Sequence, residues 1–140
     1  MRLKMVVLAL MLSVGLSACG KDGGGGSKLE LQATDQMTYN LKKLEAKAGA
    51  KVTLVLKHVG TMKVEAMGHN VVIVQSGTDI AKFAAAATAA GAGAQYIPPS
   101  FKDKIIAHTK LVGGGESTEI TFTAPAAGTY PFFCSFPGHY

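Results

Sequence analysis

Charge is scarce in this 140-residue chain: 16% of its residues are charged and 48% are hydrophobic. That balance excludes a wholly disordered chain, because it supplies enough apolar surface for a core. The length suits one domain and excludes two of ordinary size. Basic residues are few and scattered, and only Lys42 and Lys43 are adjacent. Nucleic-acid binding asks for a clustered basic face with aromatics among it, so no nucleic-acid partner is expected. The formal charge of +5, of which Arg2 and Lys4 contribute two, supports only a mild preference for acidic partners. No lysine follows Gly113-Gly114-Gly115, which excludes a phosphate-binding loop and leaves a turn. No nucleophile–base–acid set surrounds Ser135, so an enzyme is not expected. Cysteine is limited to Cys19 and Cys134. A closed four-ligand zinc pattern is absent. An even count invites a disulfide, but each cysteine has its own separate reading.

The N-terminus begins basic and continues as an apolar run from Met5 to Leu16. A permanent spanning helix needs about 20 apolar residues, so this run suits a secretory signal peptide over residues 1–18. It closes on Leu16-Ser17-Ala18-Cys19, which resembles the bacterial lipobox. The resemblance implies cleavage before Cys19 and attachment of lipid to its thiol. Gly20 is compatible with outer-membrane sorting. A plain signal peptide with a chance cysteine is the alternative. Several acyl chains, at about 0.8 kcal/mol per buried methylene, would hold the protein firmly to the membrane. Residues 19–27 then form a glycine-rich tether, since Gly23-Gly24-Gly25-Gly26 cannot pack a core.

From residue 28 onward the pattern is short strands. Leu29, Leu31 and Ala33 alternate with polar residues. In Lys51 to His58, Val52, Leu54, Leu56 and His58 share a face. Val71-Val72-Ile73-Val74 suits a strand covered on both sides. Thr118 to Thr123 presents Ile120 and Phe122 together, and Tyr130 to Phe133 is a further aromatic run. One alanine-rich segment, Thr78 to Ala90, has a capping Thr78 or Asp79 and a terminating Gly91; Ile80 and Phe83 favour a helix with one buried edge. Strands bounded by turn residues, with one inserted helix, predict an all-β sandwich or Greek-key barrel over residues 28–140.

Chemistry concentrates in two places. Near the C-terminus stands Cys134-Ser135-Phe136-Pro137-Gly138-His139, and far upstream Met67-Gly68-His69-Asn70. One thiolate and two imidazoles form the ligand set of a trigonal copper site. Thiolate favours Cu(I) and imidazole tolerates Cu(II), so a site of both serves either state with little rearrangement. Cys134 and His139, five apart across a Phe-Pro-Gly turn, can approach one ion from one loop. His69, just before a β-branched strand, can stand at the same end of the sandwich. Spacing alone leaves metal binding and ordinary packing both open.

These two segments resemble the copper-binding segments of the azurin-type cupredoxins. So do Asp35-Gln36-Met37, His58-Val59-Gly60, Ile106 through Leu111 and Gly113 through Glu116. The resemblance runs from about residue 28 to Tyr140. It implies a Greek-key β-sandwich with one short inserted α-helix, one type 1 copper ion, and transfer of single electrons. The ligands it implies are His69, Cys134 and His139, with the Gly68 carbonyl as a weak axial contact. Asn70 would hydrogen-bond the cysteine loop near Ser135, and the Phe136 amide would point at the sulfur. An apolar docking patch would comprise Met37, Met62, Ala66, Met67, Phe136, Pro137 and Gly138, with His139 partly exposed among them. His58 is expected to be buried and His108 exposed, neither as a ligand.

The sequence departs from the family pattern in places. The axial methionine and the final strand would fall after Tyr140, so the expected sandwich is C-terminally incomplete. Gly49 stands where a disulfide cysteine would lie, and Val71 replaces a buried tryptophan. The expected partners are redox proteins such as cytochromes or respiratory reductases, met by a monomer lipid-anchored in a bacterial cell envelope. The alternative function is a copper-buffering lipoprotein without electron transfer.

Overall fold

The computed structural model describes residues 3–8 and 26–140. Two-residue alternation builds most of it. In β2 (Ser27–Ala33) and β4 (Lys51–His58), every second side chain turns inward, leaving Leu31, Ala33, Val52, Leu54 and Leu56 fully buried. These strands pair in parallel, with Leu31 opposite Leu56 and Ala33 opposite His58. β7 (Ser117–Thr123) runs antiparallel along the other side of β4, closing a three-stranded sheet.

The second sheet has the order β3-β1-β8-β5-β6, with β1 at Leu3–Leu8, β3 at Lys43–Lys47, β5 at Val72–Val74, β6 at Ile105–His108 and β8 at Gly128–Phe133. The run from Val71 to Val74 is covered on both sides, as its composition predicted. Val71 and Ile73 join the core between the sheets, while Val72 and Val74 meet Phe83, Ala87 and Phe133 in a second cluster outside it. That second cluster lies under the helix α2 (Ile80–Ala90). Asp79 caps it by accepting from the Lys82 amide at 3.1 Å, and Gly91 ends it at a φ of 74°. A one-turn helix, α1 (Val64–Met67), leads into Gly68.

Two strands depart from expectation. β3 was not anticipated, although Leu44 and Ala46 alternate inward along it. More consequentially, Leu3–Leu8, assigned from sequence to the leader 1–18, lies in the sheet between β3 and β8. The physical reason is parity. Leu3, Met5 and Val7 are at most 3% exposed and meet an inward row that includes Leu44, Ala46, Tyr130 and Phe132. Residues 9–25, with Cys19 and most of the tether, lie outside the described residues.

The strand directions define two ends. Ala33 and His58 finish β2 and β4 at the end that receives His69, whose ring nitrogen Nε2 lies 2.9 Å from the Thr34 carbonyl. At the opposite end Ser27 pairs beside Val52, and the turn from Lys47 to Lys51 ties the sheets together. There the Ala48 amide donates to Leu8 and the Gly49 amide to Ala124.

Candidate metal centre

His69 is delivered by the stretch between α1 and β5. Its backbone exchanges both hydrogen bonds with Val112 at 2.9 Å, which fixes the chain where no strand has yet begun. Gly68 before it must be small: a Cβ there would stand 2.7 Å from the Val64 carbonyl oxygen and 3.0 Å from Leu111. Cys134 follows directly from β8, and the turn through Phe136, Pro137 and Gly138 returns His139. Gly138 takes a φ of 83°, a left-handed conformation suited to glycine. The His139 amide donates to the Phe136 carbonyl at 3.1 Å.

One ligand-capable atom from each of His69, Cys134 and His139 lies within 4.8 Å of the other two. The Cys134 Sγ is 3.6 Å from the His139 Nδ1 and 3.8 Å from the Gly68 carbonyl oxygen. The three side chains are 1%, 4% and 8% exposed, so His139 is the outermost. The donor set fits a metal on three counts. The His69 Nε2 is engaged by Thr34, which leaves Nδ1 buried without a hydrogen-bond partner; a buried polar atom of this kind is rare unless something else completes it. A cavity of about 10 Å³, lined by His69, Cys134, His139, Tyr39, Met37, Thr38 and Leu3, has room for one water-sized species. The donors mix one soft sulfur with two imidazoles, the combination suited to copper.

Electrostatics favour uncharged donors. Burial holds the His69 imidazole down at about 4, and burial followed by the neighbouring His58 lowers His139. Both are therefore neutral at physiological pH, with a lone pair to offer. Burial pushes the Cys134 thiol up to about 11, opposed by hydrogen bonds from the Asn70 and Phe136 amides and from Tyr39. The sulfur is thus protonated until a cation displaces the proton.

The surrounding residues hold this geometry. Asn70 is fully buried and grips the cysteine loop twice: its Oδ1 accepts from the Ser135 amide and its Nδ2 donates to the Ser135 Oγ, each at 2.8 Å. Met37 is 49% exposed and lines the cavity, and Met62 is 41% exposed. The amides of Thr61 and Met62 donate to the Asp35 carboxylate, joining the two methionine loops. Ala66 and Met67 close α1 immediately before Gly68, while Phe136 is buried with its ring 4.7 Å from that of His139. His108 is exposed. His58 is 2% exposed and stacks on His69 at 4.9 Å, with Nε2 3.6 Å from Asp35.

Tyr39 was not anticipated. Its hydroxyl donates to the Asn70 carbonyl, and its ring lies 6.2 Å from that of His69. No local pattern announces it, because the contact spans 31 positions.

The two-sheet sandwich with its metal-ready end is a cupredoxin fold. The family described as copper binding proteins, plastocyanin/azurin family, matches residues 27–140. Azurin-2 of Alcaligenes xylosoxydans xylosoxydans is 44% identical over 115 residues, covering 79% of this chain and 87% of that protein. Auracyanin-A of Chloroflexus aurantiacus is 37% identical, with 99% of this chain and 91% of that protein covered. The solved structure of auracyanin A, described as a "blue" copper protein of the same organism, superposes with a TM-score of 0.75 at 36% identity, over 83% of this chain and 92% of that one. The chain belongs to the plastocyanin/azurin family of copper-binding proteins, whose general role is electron transfer. Its cofactor is copper.

Proposed function

We propose that the protein is a type 1 copper electron carrier that passes single electrons between redox proteins of a bacterial cell envelope, held there by lipid on Cys19. The observation that carries the site is the buried His69–Cys134–His139 cluster, with one ligand-capable atom of each within 4.8 Å of the others. Copper supplies the one-electron couple when bound; everything else is the work of the chain. The His69 and His139 Nδ1 atoms and the Cys134 sulfur would hold the ion, and the Gly68 carbonyl would offer it a weaker contact.

Thr34 fixes the His69 tautomer. Asn70 locks the cysteine loop to the start of β5. The amides of Asn70 and Phe136 point at the sulfur, which stabilises electron-rich thiolate and favours the reduced state. Because ligands from two distant segments are pre-positioned, little rearrangement need accompany a change of charge. Met37, Met62, Ala66, Met67, Pro137 and Gly138 form the apolar surface on which cytochromes or respiratory reductases dock briefly through His139.

Lipid attachment at Cys19 entails removal of residues 1–18, after which the slot between β3 and β8 is open to another strand. Adding Cu(II) to the metal-free protein tests the site reading. An intense blue absorption that Cys134→Ser abolishes is expected. A pale, labile complex points instead to copper buffering, and absence of binding refutes both.

A further inference from the structure

The end of the sandwich opposite the metal centre has a composition of its own. Lys28, Lys47 and Lys51 are exposed there, and among the described residues none of the three pairs with a carboxylate; Lys43, Lys57 and Lys82 elsewhere do. The turn from Lys47 to Lys51 brings two of them to the same end, where the Ala50 amide donates to the Lys47 carbonyl at 3.1 Å, and strand pairing sets Lys28 at that end of the neighbouring strand. Lys51 opens β4 opposite Thr123, Lys28 lies beside Thr53, and Lys47 stands opposite Leu8. The segments that build this end, residues 26–29, 47–53 and 121–129, contain no acidic residue.

The described residues that flank residues 9–25 both lie at this end. Leu8, 52% exposed, is the last described residue before residues 9–25, and Gly26 is the first after them. Of the intervening sequence the lipid-anchored protein keeps residues 19–25, which begin with Cys19, seven positions before Gly26. Cationic side chains around a lipidated attachment point draw that end of a protein onto an anionic bilayer, and so orient what the lipid already holds.

We infer that Lys28, Lys47 and Lys51 form a seat for anionic phospholipid headgroups, so that this end of the sandwich rests on the membrane. The inference deepens the envelope-anchored reading and rests on it for the presence of a membrane. Its consequence is orientation. β2 spans 7 residues from the lysine end to the metal end, about 23 Å at roughly 3.3 Å per residue. A protein seated by its lysines therefore presents His139 away from the bilayer, toward partners in the aqueous phase.

The test uses the full chain carrying Cys19→Ala, which has no lipid, in sedimentation with phosphatidylcholine vesicles and with mixed phosphatidylcholine–phosphatidylglycerol vesicles. Preference for the anionic vesicles is expected, weakening as salt rises. Each lysine near such a surface contributes about a fivefold factor in affinity, so replacing Lys28, Lys47 and Lys51 by Gln is expected to cost roughly 100-fold on anionic vesicles and nothing on neutral ones. The same change at Lys63, Lys102 and Lys110, equally exposed but remote, is expected to leave anionic binding within a fewfold of the parent. Equal losses for the two triple variants, or none for the first, overturn the inference. Circular dichroism checks folding; if the triple variant fails to fold, Lys51→Gln alone must lose about fivefold. Lipid on Cys19 is read separately, from the mass of the envelope-extracted protein, so its absence and the absence of a lysine seat are distinct results.

Discussion

Replacing Asn70 by alanine is the most direct probe of how the metal end is held. The Asn70 side chain makes three hydrogen bonds: it accepts from the Ser135 amide at 2.8 Å, and donates to the Ser135 Oγ at 2.8 Å and to the Gln95 carbonyl at 3.3 Å. Asn70 and Ser135 are both fully buried, so water cannot replace what is lost. Each bond contributes about 1 kcal/mol net, and stranding the buried Ser135 amide costs a further 1–3 kcal/mol or so. Asn70→Ala should therefore destabilise the metal-free protein by about 4–6 kcal/mol, a large share of the roughly 5–15 kcal/mol that holds a domain folded. Urea unfolding followed by circular dichroism measures it as a fall in midpoint at constant slope. A double-mutant cycle localises the effect. Ser135→Ala should cost about 1 kcal/mol less in the Asn70→Ala background than alone, since its hydroxyl bond is already gone. A loss below about 1 kcal/mol, or strict additivity with Ser135→Ala, would refute the claim that this side chain clamps the loop.

Three other outcomes are expected. Because burial holds the folded His69 pKa at about 4 against an ordinary 6.5, the unfolded chain binds a proton in that interval while the folded one does not. Stability of the metal-free protein should thus be complete above pH 6.5 and fall by up to about 3 kcal/mol toward pH 4, a loss that His69→Asn removes in pH-dependent unfolding. Loading copper at neutral pH should release close to one proton per ion, from the Cys134 thiol held at about 11, measurable by calorimetry in buffers of different ionisation enthalpy; zero release contradicts a thiolate ligand. In the unprocessed chain, Met5→Ala should lower stability by about 2–5 kcal/mol, because Met5 is fully buried between β3 and β8; an unchanged unfolding midpoint would mean that this strand does not occupy the slot in solution.

What could be read from sequence was local. The inward face of Val52, Leu54, Leu56 and His58, the doubly covered strand at Val72–Val74 and the capped helix at Ile80–Ala90 each follow from a periodicity contained within their own residues. The three ligand-capable side chains were legible because two short motifs carry them. What escaped depends on pairing at a distance. β3 has only Leu44 and Ala46 to mark it, too few to establish a period. Leu3–Leu8 reads as the basic start of a leader and the opening of its apolar run, and its alternation matters only once β3 and β8 flank it. Tyr39 at the Asn70 carbonyl and Asp35 beside His58 are likewise meetings of separate loops, which no single stretch of sequence encodes.

The economy of the metal end argues for its use. A buried nitrogen without a hydrogen bond is destabilising by about 1–3 kcal/mol, and the His69 Nδ1 is such an atom. Folding alone gives no reason to keep it, since a leucine or phenylalanine would fill the same space beside Tyr39. Nor does the protein relieve it by rotation, because Thr34 holds the opposite ring nitrogen and the tilted rings of His58 and His139 crowd the imidazole at 4.9 and 4.6 Å. Every neighbour acts to keep a lone pair aimed at the sulfur and the second imidazole. A cation that accepts that lone pair removes the penalty, and the gain appears as affinity rather than as rearrangement.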